Sequence, residues 1–279
     1  MVVEIPCSFR RWGATARLHR VRGTWPPKGI WRKNVQMTSR THAGLVRMRN
    51  EDALQIDLDQ GIAVLADGMG GLMAGSQASA VAVQETLTQL MHARQTMVSQ
   101  GTTSQTTFSY QQLGAAIAAA HEQVLAACAA KEMKAQMGST VVIWTAANGQ
   151  WTAAHVGDSR LYRWYAQELE QLTVDHSLAQ RMRERGEVEP GVDVEAHYGH
   201  VLTQGLGLRQ PIEPGFYGDG LTAGERFLLC SDGLSDMVTQ EKMSQALAAD
   251  DLEDAADQLL GFALDMGGRD NISLILIEP

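Results

Sequence analysis

Acidic residues recur at the ends of apolar runs along this chain. Ile62-Ala63-Val64-Leu65-Ala66 stops at Asp67-Gly68, with Gly70 and Gly71 close behind. Ala153 to Gly157 runs into Asp158-Ser159-Arg160, Phe227 to Ser231 runs into Asp232-Gly233, and Asp270-Asn271 opens the run Ile272 to Ile277. Glu51-Asp52 heads the alternating segment Ala53 to Leu58. One Asp-Gly between apolar segments is an ordinary turn signal; several acids at strand ends imply a shared edge. Carboxylates converging there repel unless something neutralises them, and the simplest neutraliser is a divalent cation. An all-oxygen donor set with no His/Cys cluster suits the hard ions Mg²⁺ and Mn²⁺. Gly68, Gly70 and Gly71 open backbone angles closed to other residues and leave room for a ligand against the main chain.

The elements that would carry these acids follow from periodicity. Residues 41–48, 52–58 and 61–66 read as successive strands, and a helix from about Gly75-Ser76 puts Val83, Leu87, Leu90 and Met91 on one stripe. The Gln-, Ser- and Thr-rich stretch Gln95 to Thr107 reads as a loop. A second helix from Tyr110 to Lys134 aligns Leu113, Ile117, Ala120, Val124 and Cys128, with His121 near that stripe as a structural histidine. Strands at 139–147 and 150–157 flank the hairpin signal Asn148-Gly149, and strands at 160–165 and 168–172 follow. Ser177 to Gly186 is a short charged helix, and Glu187 to Gly220 reads as an excursion beside the site. Strand 226–231, helices at 239–248 and 251–265, and strand 272–278 complete the chain. Strands in contiguous runs with no βαβ rhythm indicate an α+β sandwich of antiparallel sheets flanked by helices.

Seven blocks in order carry a family resemblance: Gly44-x-x-Arg47-x-x-Asn50-Glu51-Asp52, Ala66-Asp67-Gly68-Met69-Gly70-Gly71, Gly138-Ser139-Thr140, Val156-Gly157-Asp158-Ser159-Arg160, Asp175-His176-Ser177, Ser231-Asp232-Gly233-Leu234-x-Asp236 and Asp270-Asn271. From about residue 40 to residue 278 the chain resembles the metal-dependent serine/threonine phosphatases of type 2C. The resemblance implies an α-β-β-α sandwich with a two-metal site at one end. It implies Asp67 as the ligand common to both ions, the Gly68 carbonyl and Glu51 as further ligands, Asp232 and Asp270 completing one ion, and Asp158 with Asp232 at a third ion's position. Asp52 would then orient the attacking water from outside the ligand set. Two ions roughly 3.5–4 Å apart activate a water for in-line attack on phosphorus, so no phosphoenzyme is required. Ser139 and Ser231 lack a G-x-S-x-G elbow.

Arg47 stands four residues before Glu51, on the same face if the strand is regular, and its guanidinium suits a phosphate dianion. Asp158 beside Ser159 also reads as a capped turn, with Arg160 as its ion-pair partner. His176 is a candidate general acid for the leaving alkoxide, the alternative being a structural role beside a flap at about 177–220. Two departures from the family pattern are Gln204-Gly205, where Arg-Ala is usual, and Ser139, where Thr is more frequent. Bacterial members of such a family oppose a Ser/Thr kinase, including in type VI secretion. The expected partners are phosphorylated Ser/Thr proteins and a cognate kinase. A non-catalytic module would have lost metal carboxylates, and a hydrolase of small phosphate esters would enclose its substrate.

A chain of 279 residues with 44% hydrophobic content is ample for one large domain with a sizeable core, or at most two small ones. It shows no apolar stretch of about 18 residues to span a membrane. Three separated cysteines, Cys7, Cys128 and Cys230, argue for a reducing compartment, hence the cytoplasm. Residues 1–36 hold eight basic residues against Glu4 alone, a balance of +7, which leaves −16 for the rest of a chain of net charge −9. That leader has no apolar core of a secretory signal. It reads either as a nucleic-acid or membrane-surface arm or transit-like segment, or as an extension outside the phosphatase-like domain at 37–279 that arises from a start upstream of Met37. No nucleic acid partner is expected, and an acidic body favours basic segments around a phosphosite. A monomer is expected.

Overall fold

The computed structural model describes residues 35–70, 74–101, 106–130, 137–188 and 191–279. In chain order they form β1 (Gln36–His42), β2 (Ala53–Asp57), β3 (Ile62–Ala66), β4 (Gly68–Met69), α1 (Ala74–Ser99), α2 (Tyr110–Ala130), β5 (Gly138–Ser139), β6 (Val141–Ala147), β7 (Gln150–Val156), β8 (Arg160–Tyr165) and β9 (Glu168–Gln171). They continue with α3 (Leu178–Arg185), α4 (Val194–Tyr198), β10 (Gly215–Gly220), β11 (Arg226–Cys230), α5 (Asp232–Ser235), α6 (Gln240–Leu247), α7 (Leu252–Asp265) and β12 (Ile272–Glu278).

The central strand β3 is apolar at every position, and β11 and β12 nearly so, because both of their faces are covered. In β3, Ala63 and Leu65 point between the sheets while Ile62, Val64 and Ala66 face α1 and α2. In β12, Ile275 and Ile277 join the inter-sheet layer while Ile272, Leu274 and Leu276 pack on the side of α6 and α7. Between the sheets, the Phe227 ring lies 5.4 Å from Trp144 and 5.0 Å from Trp151, a spacing at which tilted aromatic pairs attract. One sheet runs β1-β12-β11-β8-β9 and the other β10-β7-β6-β3-β2, with every pairing antiparallel. The architecture is therefore the expected α-β-β-α sandwich.

Several local expectations change. Residues 43–50 are a bent loop between β1 and β2, not the end of a strand. Gly44 explains the break: its φ is 79°, and a Cβ there would come 2.2 Å from the Asp270 carbonyl oxygen. Helix α1 continues through the polar Gln95 to Ser99 because Arg94 and Met97 are buried on its inner face. The excursion after α3 returns earlier than expected, since β10 pairs with β7 from Gly215↔His155 to Gly220↔Gln150. Three glycines in GFYGDG hide that strand from a periodicity argument. Helix α2 is long and apolar enough by composition to cross a membrane, contrary to the sequence expectation. Its Leu113, Ala116, Ile117, Ala120 and Val124 are buried in the core shared with α1 and β3.

The basic leader to residue 34, Gly71 and Lys134 lie outside the described residues. Strand β1 begins at Gln36, one residue before the domain start expected at 37, and Val35 packs against the inter-sheet core.

Candidate metal centre

Asp67 sits between two short pairings that hold its backbone on both sides. Its N–H donates to Thr140 Oγ1 at 2.8 Å, and its carbonyl accepts from Thr140 N–H at 2.8 Å and from Ser139 Oγ at 2.9 Å. Thr140 Oγ1 meets Ser159 Oγ at 2.7 Å, tying the Asp67 strand end to the Asp158 turn. Ser139 thus serves Asp67 through its hydroxyl, as a positioning group. Strand β4 pairs with β5 through Gly68↔Ser139.

Glu51 approaches from the far sheet edge. A Cβ on Gly75 would lie 2.6 Å from Glu51 Oε2 and 2.7 Å from the Gly68 carbonyl oxygen, so these two oxygens face one small space at the start of α1. A Cβ on Gly68 itself would come 2.2 Å from the Gly75 carbonyl. Glycine at both positions permits this approach. Ser79 Oγ donates to the Glu51 carbonyl at 2.5 Å, and Glu51 N–H donates to Asn271 Oδ1 at 2.7 Å. Asn271 also donates from Nδ2 to the carbonyls of Ala43 at 3.0 Å and Arg49 at 2.8 Å. One buried side chain therefore clasps both ends of the loop 43–50 and sets Glu51. Arg47, on that loop and not on a strand, donates from a terminal nitrogen to Asp270 Oδ2 at 2.6 Å. Both side chains are open to solvent there.

The remaining acids are half-buried and act on one another. Burial above all, then the charges of Asp232, Asp52 and Asp158, push the Asp67 carboxyl well above the usual carboxylate range. Asp158 is raised by burial, then by Asp232 and Asp175. Asp232 is raised by burial, then by Asp236 and Asp270, and burial raises Asp52 and Glu51. Asp52 Oδ2 accepts from Ser231 Oγ at 2.9 Å, whereas its Oδ1 is buried with no partner. An orphaned carboxylate oxygen among mutually repelling acids is what a bound cation or its water would satisfy. Among the described residues, no three acid, His or Cys side chains already stand in a closed metal cage. The fit rests instead on the hard, all-oxygen donor set and on that orphaned oxygen.

Other candidates take structural places. Arg160 pairs with Asp175, not with Asp158, through its Nε at 3.0 Å and a terminal nitrogen at 2.7 Å. The ring of His176 stacks on His155 with centroids 4.6 Å apart, and its Nδ1 accepts from Gly157 N–H at 3.2 Å. Burial, then the neighbouring His155, lowers His176 to about 3, so it is neutral near pH 7 and holds no proton to give as an imidazolium. His121 Nδ1 accepts from Gly207 N–H at 3.2 Å, as a structural histidine does. Gln204 Oε1 accepts from Glu213 N–H at 2.5 Å, closing the loop where the family pattern carries arginine. Sequence reasoning assigned no role to Asn271, Thr140, Ser79 or Ser231 as positioning groups. For Asn271 and Ser231 the signal was adjacency in the chain to Asp270 and Asp232; Thr140 and Ser79 stand far along the chain from every candidate acid and carried no such signal.

Residues 38–260 match the family model described as Protein phosphatase 2C. The chain is 30% identical over 244 residues to the serine/threonine protein phosphatase PstP of Mycobacterium tuberculosis, covering 88% of this chain and 45% of that relative. It therefore spans about half the length of that protein. It is 29% identical to the protein phosphatase PhpP of Streptococcus pneumoniae, covering 88% of this chain and 97% of PhpP. The solved catalytic domain of PstP in complex with two manganese ions superposes with a TM-score of 0.72 at 30% identity, covering 88% of this chain and 97% of that one.

Proposed function

This chain belongs to the protein phosphatase 2C family, and from that premise we propose that it hydrolyses phosphoserine and phosphothreonine in proteins, opposing a bacterial Ser/Thr kinase. The observation that carries the reading is the half-buried group Asp52, Asp67, Asp158 and Asp232, whose charges raise one another, with the orphaned Asp52 Oδ1 among them and Arg47 at the solvent-facing edge. Glu51, Asp67, the Gly68 carbonyl, Asp232 and Asp270 are the groups that would hold two Mg²⁺ or Mn²⁺ ions, and Asp158 with Asp232 would hold a third. Such ions supply Lewis-acid activation of water and neutralise charge on the phosphoryl group. Asp67 fixes the centre through its doubly held backbone. Asp52 accepts a hydrogen bond from the attacking water at Oδ1 and orients it. Arg47 exchanges Asp270 for the phosphate dianion, to which it offers charge-assisted hydrogen bonds. Arg47 and Asp270 stand in solvent, which suits a protein surface and not only a small ester.

What supports a cytoplasmic setting is the pair of free thiols Cys128 and Cys230. The acidic body supports a monomeric enzyme acting on basic segments, away from nucleic acid. The test is turnover of phosphoserine and phosphothreonine peptides with and without chelator. Chelation should abolish hydrolysis and added Mn²⁺ or Mg²⁺ should restore it. Undiminished turnover in chelator would contradict the reading.

A further inference from the structure

Large apolar side chains stand in solvent beside the phosphate-facing arginine. Met48 is 96% exposed, Leu45 66%, Val46 65% and, on the adjoining α7–β12 connection, Met266 49%. Single exposed apolar residues are ordinary, whereas a contiguous group marks a contact surface. Leu45, Val46 and Met48 share one four-residue stretch, and Leu45 joins it to the connection that carries Met266: its N–H donates to the Gly268 carbonyl at 2.7 Å, and a Cβ on Gly268 would lie 3.1 Å from Leu45 Cγ.

The loop cannot relieve this exposure by folding inward. Asn271 holds both of its ends, Gly44 is fitted against the Asp270 backbone, and Gly44 N–H donates to His42 Nδ1 at 2.9 Å. Arg47 lies between Val46 and Met48 in sequence, and consecutive Cα atoms are about 3.8 Å apart. A phosphate held by Arg47 therefore brings the residues flanking the phosphoamino acid over Val46 or Met48.

We propose that Leu45, Val46, Met48 and Met266 form a specificity surface that receives a large apolar side chain flanking the phosphoserine or phosphothreonine of the substrate protein. The proposal rests on the phosphatase reading above. It assigns this surface to an extended phosphopeptide segment because the patch is continuous with Arg47 and is carried on a loop already fixed before binding. Preorganisation of that kind lowers the cost of binding.

The test compares two phosphothreonine peptides, identical except for Leu or Ser on both sides of the phosphothreonine, with p-nitrophenyl phosphate as reference. The proteins are the wild type and the near-isosteric variants Met48→Gln and Val46→Thr. The wild type is expected to prefer the Leu-flanked peptide by about tenfold in kcat/KM, the scale of discrimination an apolar pocket supplies. In Met48→Gln most of that preference should vanish, while p-nitrophenyl phosphate turnover and melting temperature stay unchanged. Equal turnover of the two peptides by the wild type, or an undiminished preference in both variants, overturns the proposal and leaves the phosphatase reading intact. Dimerisation abolished by Met48→Gln would assign the surface to a second copy of the chain and overturn it as well. A wild-type protein that turns over neither peptide nor p-nitrophenyl phosphate overturns the phosphatase reading, and this proposal with it.

Discussion

Asp67→Asn is expected to lower turnover by about three orders of magnitude or more. Lewis-acid stabilisation by bound ions is worth several kcal/mol, and about 1.4 kcal/mol corresponds to one decade in rate. In the proposed centre Asp67 would be common to both ions, so removing its charge would remove most of that stabilisation. Asp158→Asn should cost less, because in that centre it would bear only on the third position. Equal activity loss and equal metal stoichiometry in the two variants would contradict this ranking.

The same substitution has an opposite effect on the metal-free fold. Burial, then the surrounding acids, raise Asp67 well above its ordinary range, so the folded protein keeps a proton that the unfolded chain releases near pH 4. Metal-free stability therefore falls as pH rises above about 4. Asparagine has no charge to bury, so in chelator at pH 8 the variant should melt above the wild type. A lower melting temperature there would show that Asp67 is not under this electrostatic load.

Asn271→Ala should weaken both fold and activity, although Asn271 is assigned no metal or substrate contact. Its side chain accepts from Glu51 N–H and donates to the Ala43 and Arg49 carbonyls. A typical intramolecular hydrogen bond contributes about 1 kcal/mol, and each kcal/mol shifts the melting temperature of a domain this size by roughly 2–4 °C. Losing three predicts a drop of about 6–12 °C. Groups that orient metal ligands typically cost 10–100-fold in activity or metal affinity when removed, and if Glu51 is a ligand as proposed, Asn271 is one of them. Asn271→Asp retains the acceptor for Glu51 and loses both donors, so its activity should fall between the two. An alanine variant with wild-type Mn²⁺ affinity and turnover would remove the positioning role.

Much of this was legible because the informative strands are buried on both faces. In β3 and β11 an apolar run leads to Asp, and in β12 a run interrupted only by Ser273 follows Asp270-Asn271, a pattern that survives without any knowledge of tertiary contacts. The loop 43–50 was misread as strand because Leu45 and Val46 look like core residues. Only contact with the Asp270 and Gly268 backbones, more than 200 positions away, shows that they face solvent. The Arg160 partner was misassigned for a similar reason: Asp158 is adjacent in the chain, whereas Asp175 is brought alongside by the folding of β8 and β9. Strand β10 has no apolar pattern because its glycines pack closely: a Cβ on Gly215 would lie 2.6 Å from the His155 ring.

The central claim is that the carboxylate rim is a centre for two ions, and locating those ions tests it most directly. Crystals equilibrated with Mn²⁺ and examined by anomalous scattering should show two strong sites, both ligated by Asp67, with Glu51, the Gly68 carbonyl, Asp232 and Asp270 completing them. Arg47 should then be released from Asp270. Absence of Mn²⁺ at these residues at saturating concentration, or ions bound only elsewhere on the molecule, would contradict the account.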